Sequence, residues 1–280
     1  MSVIRELQLK DYVTLLGTMF GTATIILSIM GVIDGNQTTI ALAALIWVGA
    51  MTCDLLDGVV ARKLKQTNEI GRELDSLSDA VSFVVAPGVL ILCASLNGDF
   101  PALIPNQFVV IGVFVLIFFG ITRLAWYNVA NVGEGYTGLT TPMTAGFLVI
   151  FYLVHYFFDQ LGGTALSAYY TALNPVSYFL SNTLTIMLFL IIMGIFNIAP
   201  FLRYGINVQK RRGIWKYLII ILGILMVFTI VAARGFLGTG FGIIVGYTLN
   251  TFFVFCIVAY IIYGFYHYLE LRRHSEPESQ

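Results

Sequence analysis

Four aspartates between positions 54 and 79 are the residues in this sequence best suited to chemistry. Asp54 and Asp57 are three residues apart, which on a helix separates them by about 60° and 4.5 Å. Asp75 and Asp79 are four residues apart, or about 40° and 6 Å on a helix. Two antiparallel helices joined by a short basic loop could therefore point all four carboxylates into one space.

Carboxylates held this close repel one another, and each costs roughly 2.5–3.5 kcal/mol near the centre of a bilayer. A divalent cation relieves that repulsion better than protonation does. Ligand sets made only of oxygen suit hard ions such as Mg²⁺, Mn²⁺ or Ca²⁺. Two such ions about 3.5–4 Å apart would polarise a phosphoryl group and stabilise its leaving oxygen. Any one of these aspartates could instead be only an interfacial anchor, but the set favours a metal site.

The composition indicates that this site lies in a membrane protein. Of the 280 residues, 58% are hydrophobic and 11% are charged, and the mean hydropathy is +0.87. A soluble domain carries about 25% charged residues, so this chain has too little polar surface to cover a water-soluble globule. We therefore expect most of the chain to face lipid, and we expect membrane lipids rather than nucleic acid as its surroundings and partners.

Eight segments are apolar and long enough to cross a membrane, which takes about 20 residues. They cover residues 12–33, 39–61, 77–97, 107–129, 141–159, 179–202, 214–233 and 241–268. Turn-forming residues separate them, and residues 160–178 form the longest connection. No charge run or low-complexity linker divides the chain. The sequence therefore predicts an all-α integral membrane protein with eight transmembrane helices and a single domain covering residues 1–280.

Lys and Arg predict the orientation of the chain, because cytoplasmic loops are enriched in them. With eight spanning helices, both termini and the even-numbered connections lie on one side and carry fourteen of the 15 Lys and Arg residues; Arg234 alone lies on the other side. Both termini are therefore expected in the cytoplasm. Asp54 lies about 15 residues into its segment, roughly 22 Å along a helix. The aspartates are thus expected near the cytoplasmic face, where soluble substrates and lipid head groups both reach them.

The aspartates belong to a longer pattern, D-x2-D-G-x2-A-R-x8-G-x3-D-x3-D. Its fixed positions are Asp54, Asp57, Gly58, Ala61, Arg62, Gly71, Asp75 and Asp79. At every one of these positions the chain resembles the signature of the CDP-alcohol phosphotransferases. In that family a hydroxyl attacks the phosphate next to the lipid of a CDP-lipid, and CMP is released. The resemblance covers mainly the first six helices, which predicts a six-helix catalytic core at about 12–204 and two extra helices at about 214–268.

The resemblance also implies a role for each position of the pattern. The four aspartates would hold two divalent ions, Mg²⁺ or Mn²⁺, and Asp79 would in addition take the proton of the acceptor hydroxyl. Gly58, Ala61 and Gly71 would let the nucleotide approach closely. Arg62 would bind the diphosphate, for which the bidentate fork of arginine is well suited. The family further implies a homodimer.

Two further stretches of the sequence narrow the choice of acceptor alcohol. RLAWYN at 123–128 and YTGLTTP at 136–142 resemble the RLARFN and FxGLPxP patterns of the phosphatidylserine synthases within this family. The matching positions that concern the acceptor are Arg123, Asn128 and Gly138. The resemblance implies that serine is the acceptor. Arg123 would then meet the serine carboxylate, and Asn128 and the loop that contains Gly138 would offer hydrogen bonds.

Two departures from that pattern leave other acceptors open. Trp126 stands where an arginine is usual, and Thr140 where a proline is usual. An aromatic face could hold the quaternary ammonium of choline, although Arg123 would repel choline. Inositol phosphate or glycerol phosphate would bring about two negative charges, which the basic stretch at 203–216 could meet. That stretch could instead set the topology or attract anionic lipids.

Two other classes of function are compatible with a cluster of aspartates. A cation transporter could use them as an ion site, but transporters more often show internal repeats and charged residues near the midplane. The pattern at 54–79 has no repeat in the second half of the sequence. A catalytically inactive lipid-binding scaffold would not need all eight signature positions. A metal-dependent transferase of phospholipid biosynthesis, with serine as acceptor, is therefore the leading hypothesis.

Overall fold

The computed structural model describes residues 7–64, 68–129, 136–162, 167–204 and 239–275. A short 3₁₀ turn at Asn106–Phe108 and two strands, β1 (Tyr136–Thr137) and β2 (Arg203–Tyr204), accompany the α-helices in these ranges. The helices are α1 (Leu9–Ile33), α2 (Gln37–Leu64), α3 (Glu69–Asp79), α4 (Ala86–Asn97), α5 (Val109–Val129), α6 (Thr141–Leu161), α7 (Ser167–Ser181), α8 (Thr183–Ile198) and α9 (Thr239–Ser275).

The helices confirm that the chain is a mostly helical integral membrane protein. Six helical stretches of the described residues are long and apolar enough to cross a membrane. A seventh crossing is possible if Tyr170–Ser181 and Thr183–Ile198, which meet at an angle of 52°, form one bent span. The predicted segment 214–233 lies outside the described residues. The total of eight transmembrane helices therefore stays a prediction.

The predicted connection at residues 160–178 is helical in its second half, because α7 occupies Ser167–Ser181. The Tyr, Ala and Leu residues of this segment are compatible with a helix, and Pro175 lies inside the helix. Asn182 then separates α7 from α8. Its amide nitrogen donates to the carbonyls of Tyr178 and Phe179, at 3.1 and 2.9 Å, and its Oδ1 accepts from the backbone N–H of Thr185 at 3.0 Å. One side chain thus satisfies backbone groups of both helices at the bend.

The third spanning segment begins earlier than the predicted residue 77, since α3 starts at Glu69. The polar residues of this first part lower the local hydropathy, which is why an apolar window misses it. A π-helical stretch, Ala80–Val85, joins α3 to α4. The indole Nε1 of Trp47 on α2 donates to the carbonyl of Ser82 in that stretch at 2.7 Å. Asp75 and Asp79 therefore lie within one long helical segment that is fixed against α2.

Small residues allow α1 to pack closely on the helices that carry the aspartates. A Cβ atom added to Gly17 would lie 3.1 Å from Cβ of Cys53, and one added to Gly21 would lie 2.6 Å from Oγ of Ser82. The hydroxyl of Thr24 also donates to a backbone carbonyl of α2 at 3.3 Å. Close approach of this kind is typical of glycines at helix interfaces in membranes. It places α1 beside both α2 and the π-helical stretch.

An antiparallel ribbon of β1 and β2 is the one departure from an all-helical chain among the described residues. Tyr136 pairs with Tyr204. Gly138 follows β1 with φ +74°, and its N–H donates to the carbonyl of Leu202 at 2.9 Å. A Cβ atom at Gly138 would collide with the carbonyl of Asn197. Glycine is therefore required here both by the backbone conformation and by the space.

The last helix contacts this ribbon. The ring of Tyr260 on α9 stacks on the ring of Tyr204, with centroids 4.4 Å apart and planes 5° from parallel. Nearer the start of α9, a Cβ atom at Gly246 would lie 2.8 Å from the ring of Phe157 on α6. The described part of the chain beyond the predicted six-helix core is thus packed on α6 and on β2.

Candidate active site

Three of the four aspartates form a compact group at one end of the helix bundle. One carboxylate oxygen from each of Asp54, Asp57 and Asp75 lies within 4.8 Å of the others. Asp54 and Asp57 come from the last turns of α2, and Asp75 comes from α3. Asp57 is buried, whereas Asp75 is exposed. The spacing of the aspartates on two neighbouring helices therefore brings them together in the way that the sequence predicts.

Asp79 lies next to this group without belonging to it. It ends α3 one helical turn after Asp75. Its carboxylate interacts electrostatically with the other three aspartates and with the guanidinium of Arg123. The fourth carboxylate thus faces the same region, but it has a cationic neighbour on α5.

Hydroxyl groups of α1 hold the aspartate helices in place. The hydroxyl of Thr14 donates to Oδ2 of Asp57 at 2.6 Å. Farther along α1, the hydroxyl of Thr18 donates to Oγ of Ser78 on α3 at 2.8 Å, and the Ser78 hydroxyl lies 3.3 Å from the carbonyl of Thr14. Because each contact joins two different helices, together they fix the positions of α2 and α3 relative to α1.

A pocket of about 570 Å³ opens beside Asp57 and Asp75. Gly58, Ala61 and Gly71, which the sequence predicts to be near the nucleotide, all line it. Its other lining residues are Lys10, Thr14, Asn68, Glu69 and Arg72. Small residues on α2 and α3 therefore leave room for a ligand directly next to two of the clustered carboxylates.

The two glycines of the pocket are needed for different reasons. At Gly58 the nearest atoms to an added Cβ belong to the guanidinium of Arg62, 3.4 Å away. At Gly71 an added Cβ would collide with the ammonium of Lys10, the amide oxygen of Asn68 and the carboxylate of Asp11. Gly58 thus keeps one wall of the pocket open, while Gly71 makes room for a polar network. Arg62 itself is exposed and does not line the pocket, but its guanidinium lies against Gly58.

That polar network is a part of the site that the sequence does not reveal. The carboxylate of Asp11 is completely buried, and it accepts hydrogen bonds from the backbone N–H of Gln8, from Nζ of Lys10 and from Nδ2 of Asn68, at 2.8, 2.8 and 2.9 Å. Lys10 also interacts electrostatically with Asp57 and Asp75. The start of α1 therefore brings a positive charge to the rim of the acidic group. The only signal in the sequence is a Lys-Asp pair at the start of an apolar helix, which is not specific.

Arg123 is the predicted acceptor residue whose charge interacts with Asp79. Its side chain is 6% exposed, and its Cζ atom lies 4.5 Å from the ring centroid of Tyr127. The Tyr127 hydroxyl donates to the carbonyl of Thr137 at 2.7 Å and accepts from the Thr137 N–H at 2.9 Å. Arg123 is therefore a buried cation beside Asp79, and its supporting ring is tied to the β1 strand.

The other two predicted acceptor residues connect elements of the site. Nδ2 of Asn128 donates to Oγ of Ser76 on α3 at 2.8 Å, which links the end of α5 to the segment between Asp75 and Asp79. Gly138 shapes the turn that leads from the ribbon into α6. Trp126, which stands where an arginine is usual and made choline a candidate acceptor, is 66% exposed on the outside of α5. The predicted basic stretch 203–216 lies outside the described residues apart from Arg203 and Tyr204.

The acidic group is chemically suited to a divalent metal ion. It offers only carboxylate oxygens, which are the preferred ligands of hard cations such as Mg²⁺ and Mn²⁺. Three carboxylates within 4.8 Å repel one another strongly in a partly buried setting, and a bound cation removes that repulsion. The adjacent pocket is large enough to bring a phosphate-bearing ligand to the same oxygens.

Fold and site together define a membrane-embedded helix bundle with an acidic pocket at one end. A family model described as CDP-alcohol phosphatidyltransferase matches residues 8–174, which include every aspartate of the site and Arg123. The chain belongs to this family. The resemblance that the signature indicated is therefore confirmed.

Several curated relatives have names that specify serine. The chain is 31% identical over 145 residues to CDP-diacylglycerol--serine O-phosphatidyltransferase of Saccharomyces cerevisiae, which covers 51% of this chain and 52% of the yeast protein. It is 33% identical over 152 residues to archaetidylserine synthase of Methanothermobacter thermautotrophicus, covering 53% and 59%. A Helicobacter pylori CDP-diacylglycerol--serine O-phosphatidyltransferase is 28% identical over 207 residues, covering 73% and 77%. The chain thus spans little more than half of the length of the yeast and Methanothermobacter proteins.

Proposed function

We propose that this protein transfers the phosphatidyl-type group of a CDP-lipid to the hydroxyl of serine and releases CMP, as a step of phospholipid biosynthesis. The observation that carries the reaction type is the group formed by Asp54, Asp57 and Asp75, two of which, Asp57 and Asp75, line a pocket together with three small residues. In the reaction, the serine oxygen forms a bond to the phosphorus next to the lipid. The bond from that phosphorus to the CMP oxygen breaks, and the hydroxyl proton goes to a base on the protein.

Residues in and beside the pocket have different proposed roles in binding the nucleotide. Gly58 and Ala61 leave space for CMP next to the carboxylates, and the Arg62 guanidinium beside Gly58 meets the diphosphate. Asp54, Asp57 and Asp75, with Asp79 beside them, would hold two divalent cations, Mg²⁺ or Mn²⁺. When bound, such cations neutralise the charge that develops on the departing phosphate. Lys10 adds a further positive charge at the rim.

Asp79 is the proposed general base. It lies beside the three-carboxylate group, and its neighbour Arg123 marks where an acceptor can bind. A carboxylate in this position can take the hydroxyl proton as the oxygen attacks phosphorus. The serine hydroxyl then lies next to the base while the serine carboxylate meets the guanidinium.

Arg123 is the observation that favours serine over the other acceptors. A buried guanidinium on a tyrosine ring attracts a carboxylate and repels the ammonium of choline. Trp126, the aromatic residue that made choline a candidate, is 66% exposed. The names of the relatives described above, which specify serine, support this choice. Inositol phosphate and glycerol phosphate, each with more negative charge, are the alternatives that the experiment must test.

Serine is expected to release CMP from a CDP-lipid, and Arg123→Ala is expected to raise the KM for serine roughly 10- to 100-fold, the range that a hydrogen bond to a charged group contributes. The KM for the CDP-lipid should change little. Steady-state CMP release by purified protein in lipid measures both constants. Arg123→Lys, which keeps the charge, should recover part of the loss, and Arg272→Ala on the exposed end of α9 is the matched control. If choline, inositol phosphate or glycerol phosphate drives CMP release while serine is inert, the acceptor assignment fails and the transfer chemistry stands.

We further propose that both termini and the aspartates face the cytoplasm, which rests on the distribution of Lys and Arg. Single cysteines at the exposed positions Glu73 and Asp34 test this orientation in a background with Cys256→Ser, because Cys256 is the exposed native cysteine in the described chain. An impermeant maleimide should label Glu73→Cys in inverted vesicles and Asp34→Cys in right-side-out vesicles. Labelling of both from one side would contradict the helix order, and the reverse pattern would contradict the orientation.

The homodimer and the single domain stay predictions.

A further inference from the structure

The last helix, α9, reaches the surroundings of the proposed acceptor site. Tyr260 on this helix interacts electrostatically with the guanidinium of Arg123. The same guanidinium interacts with the carboxylate of Asp79, the proposed base. Tyr260 lies outside residues 8–174, which the family model matches. A residue beyond the matched region is therefore a neighbour of a buried cation to which we assign acceptor binding.

Contacts on the other side of this guanidinium connect it to the β1–β2 ribbon. The Cζ atom of Arg123 lies 4.5 Å from the ring centroid of Tyr127. The Tyr127 hydroxyl donates to the carbonyl of Thr137 at 2.7 Å and accepts from the N–H of Thr137 at 2.9 Å. Because both hydrogen bonds go to the backbone of β1, the position of the Tyr127 ring depends on the position of that strand.

The ribbon is held in turn by α9. Tyr136 of β1 pairs with Tyr204 of β2. The Tyr204 ring is 4% exposed, and it stacks on the ring of Tyr260 with centroids 4.4 Å apart and planes 5° from parallel. A Cβ atom at Gly264, one turn farther along α9, would collide with the same ring. One aromatic residue and one glycine of α9 therefore form the surface on which Tyr204 packs.

Such support matters for a long cationic side chain that binds a small ligand. Ordering a side chain with many rotamers costs free energy when the ordering accompanies binding. A guanidinium that packing already holds in place avoids that cost. Arg123 is 6% exposed and rests on a tyrosine ring, so its orientation depends on the contacts that fix this ring.

We propose that Tyr260 is a positioning residue for the acceptor: its ring, stacked on Tyr204, fixes the β1–β2 ribbon, and the ribbon holds Arg123 where the acceptor carboxylate binds. The proposal rests on the proposed function, because it takes Arg123 to bind the acceptor. It gives α9 a part in acceptor binding without any contact between Tyr260 and substrate.

Tyr260→Ala is expected to raise the KM for serine roughly 2- to 10-fold, the range that an aromatic pair contributes, while the KM for the CDP-lipid stays at the wild-type value. Tyr260→Phe keeps the stacked ring and should restore the wild-type KM for serine. Tyr266→Ala, at a 63% exposed tyrosine of the same helix, is the matched control. Steady-state CMP release by the purified full chain in lipid measures these constants.

A double-mutant cycle with Arg123→Ala tests whether Tyr260 acts through Arg123. In the Arg123→Ala background, Tyr260→Ala should raise the KM for serine no further, because the residue that it positions is already gone. A rise of the same size in both backgrounds would overturn the proposal. An unchanged KM in Tyr260→Ala, or an equal loss in Tyr260→Phe, would overturn it as well.

The cycle also separates this proposal from the acceptor assignment. If Arg123→Ala alone leaves the KM for serine unchanged, the acceptor role of Arg123 fails, and the positioning role of Tyr260 fails with it. If Arg123→Ala raises the KM and Tyr260→Ala does not, only the positioning role fails. Tyr260→Leu, which fills more of the space without a ring, gives the same test if Tyr260→Ala lowers the melting temperature.

Discussion

Asp79→Asn is expected to slow CMP release by about 10²-fold or more, which is the scale that general-base catalysis contributes. Asparagine keeps the size of the side chain and one of its oxygens, but it cannot take the hydroxyl proton. Because asparagine keeps one oxygen that can face the proposed metal site, and the other three aspartates are unchanged, binding of the CDP-lipid should be largely kept. Single-turnover kinetics and equilibrium binding of the CDP-lipid measure the two effects separately.

Asp159→Asn is the matched control for this substitution. Asp159 is an exposed aspartate near the end of α6, so the same change of charge there should leave turnover at the wild-type level. If Asp79→Asn retained the wild-type rate, another group would have to accept the proton. If it lost CDP-lipid binding to the same extent as turnover, the role of Asp79 would be in binding.

Removal of divalent metal is expected to have a still larger effect, with excess EDTA lowering turnover on the order of 10³-fold or more, because bound cations supply several kcal/mol of charge stabilisation. Three carboxylate oxygens within 4.8 Å, with no histidine or cysteine in the group, motivate this expectation. Added Mg²⁺ or Mn²⁺ should restore the rate. Full turnover in excess EDTA would contradict the assignment of a metal site.

Asp57→Asn connects that metal requirement to a particular residue. The amide oxygen of asparagine can still accept the hydrogen bond that Thr14 donates to Asp57 at 2.6 Å, so the packing of α1 on α2 should survive. The negative charge is lost, and the metal concentration that gives half-maximal turnover should rise. Asp34→Asn in the exposed turn after α1 should leave that concentration unchanged.

The placement of the aspartates could be predicted from the sequence because it depends on local geometry. A spacing of three or four residues fixes the face of a helix, and the short segment between Leu64 and Glu69 keeps the ends of α2 and α3 close enough for their aspartates to meet. The hydrophobic segments likewise follow from composition over long windows. Predictions of this kind need no knowledge of how distant elements meet.

What could not be predicted depends on contacts between distant parts of the chain. Asp11 accepts two of its hydrogen bonds from its own neighbours, Gln8 and Lys10, but the third comes from Asn68 at the start of α3, 57 positions away. The ribbon exists because residues near 136 and near 204 come together, and two-residue strands carry no detectable alternation. The start of α3 at Glu69 does not stand out in the sequence, because polar residues such as Arg72 and Asp75, which line the acidic pocket, lower the hydropathy that marks a span.

The stacking of Tyr260 on Tyr204 makes bilayer thickness relevant to the acceptor side of the site. With 37 residues, α9 is about 55 Å long at 1.5 Å per residue, well beyond the roughly 30 Å of a hydrocarbon core. Such a helix tilts or extends out of the membrane, to a degree that depends on the lipid. The tilt of α9 affects the position of β2, because Tyr260 stacks on Tyr204. Through the pairing of β1 with β2, it also affects the turn at Gly138. Turnover of variants near that turn is therefore comparable only between membranes of the same acyl-chain length.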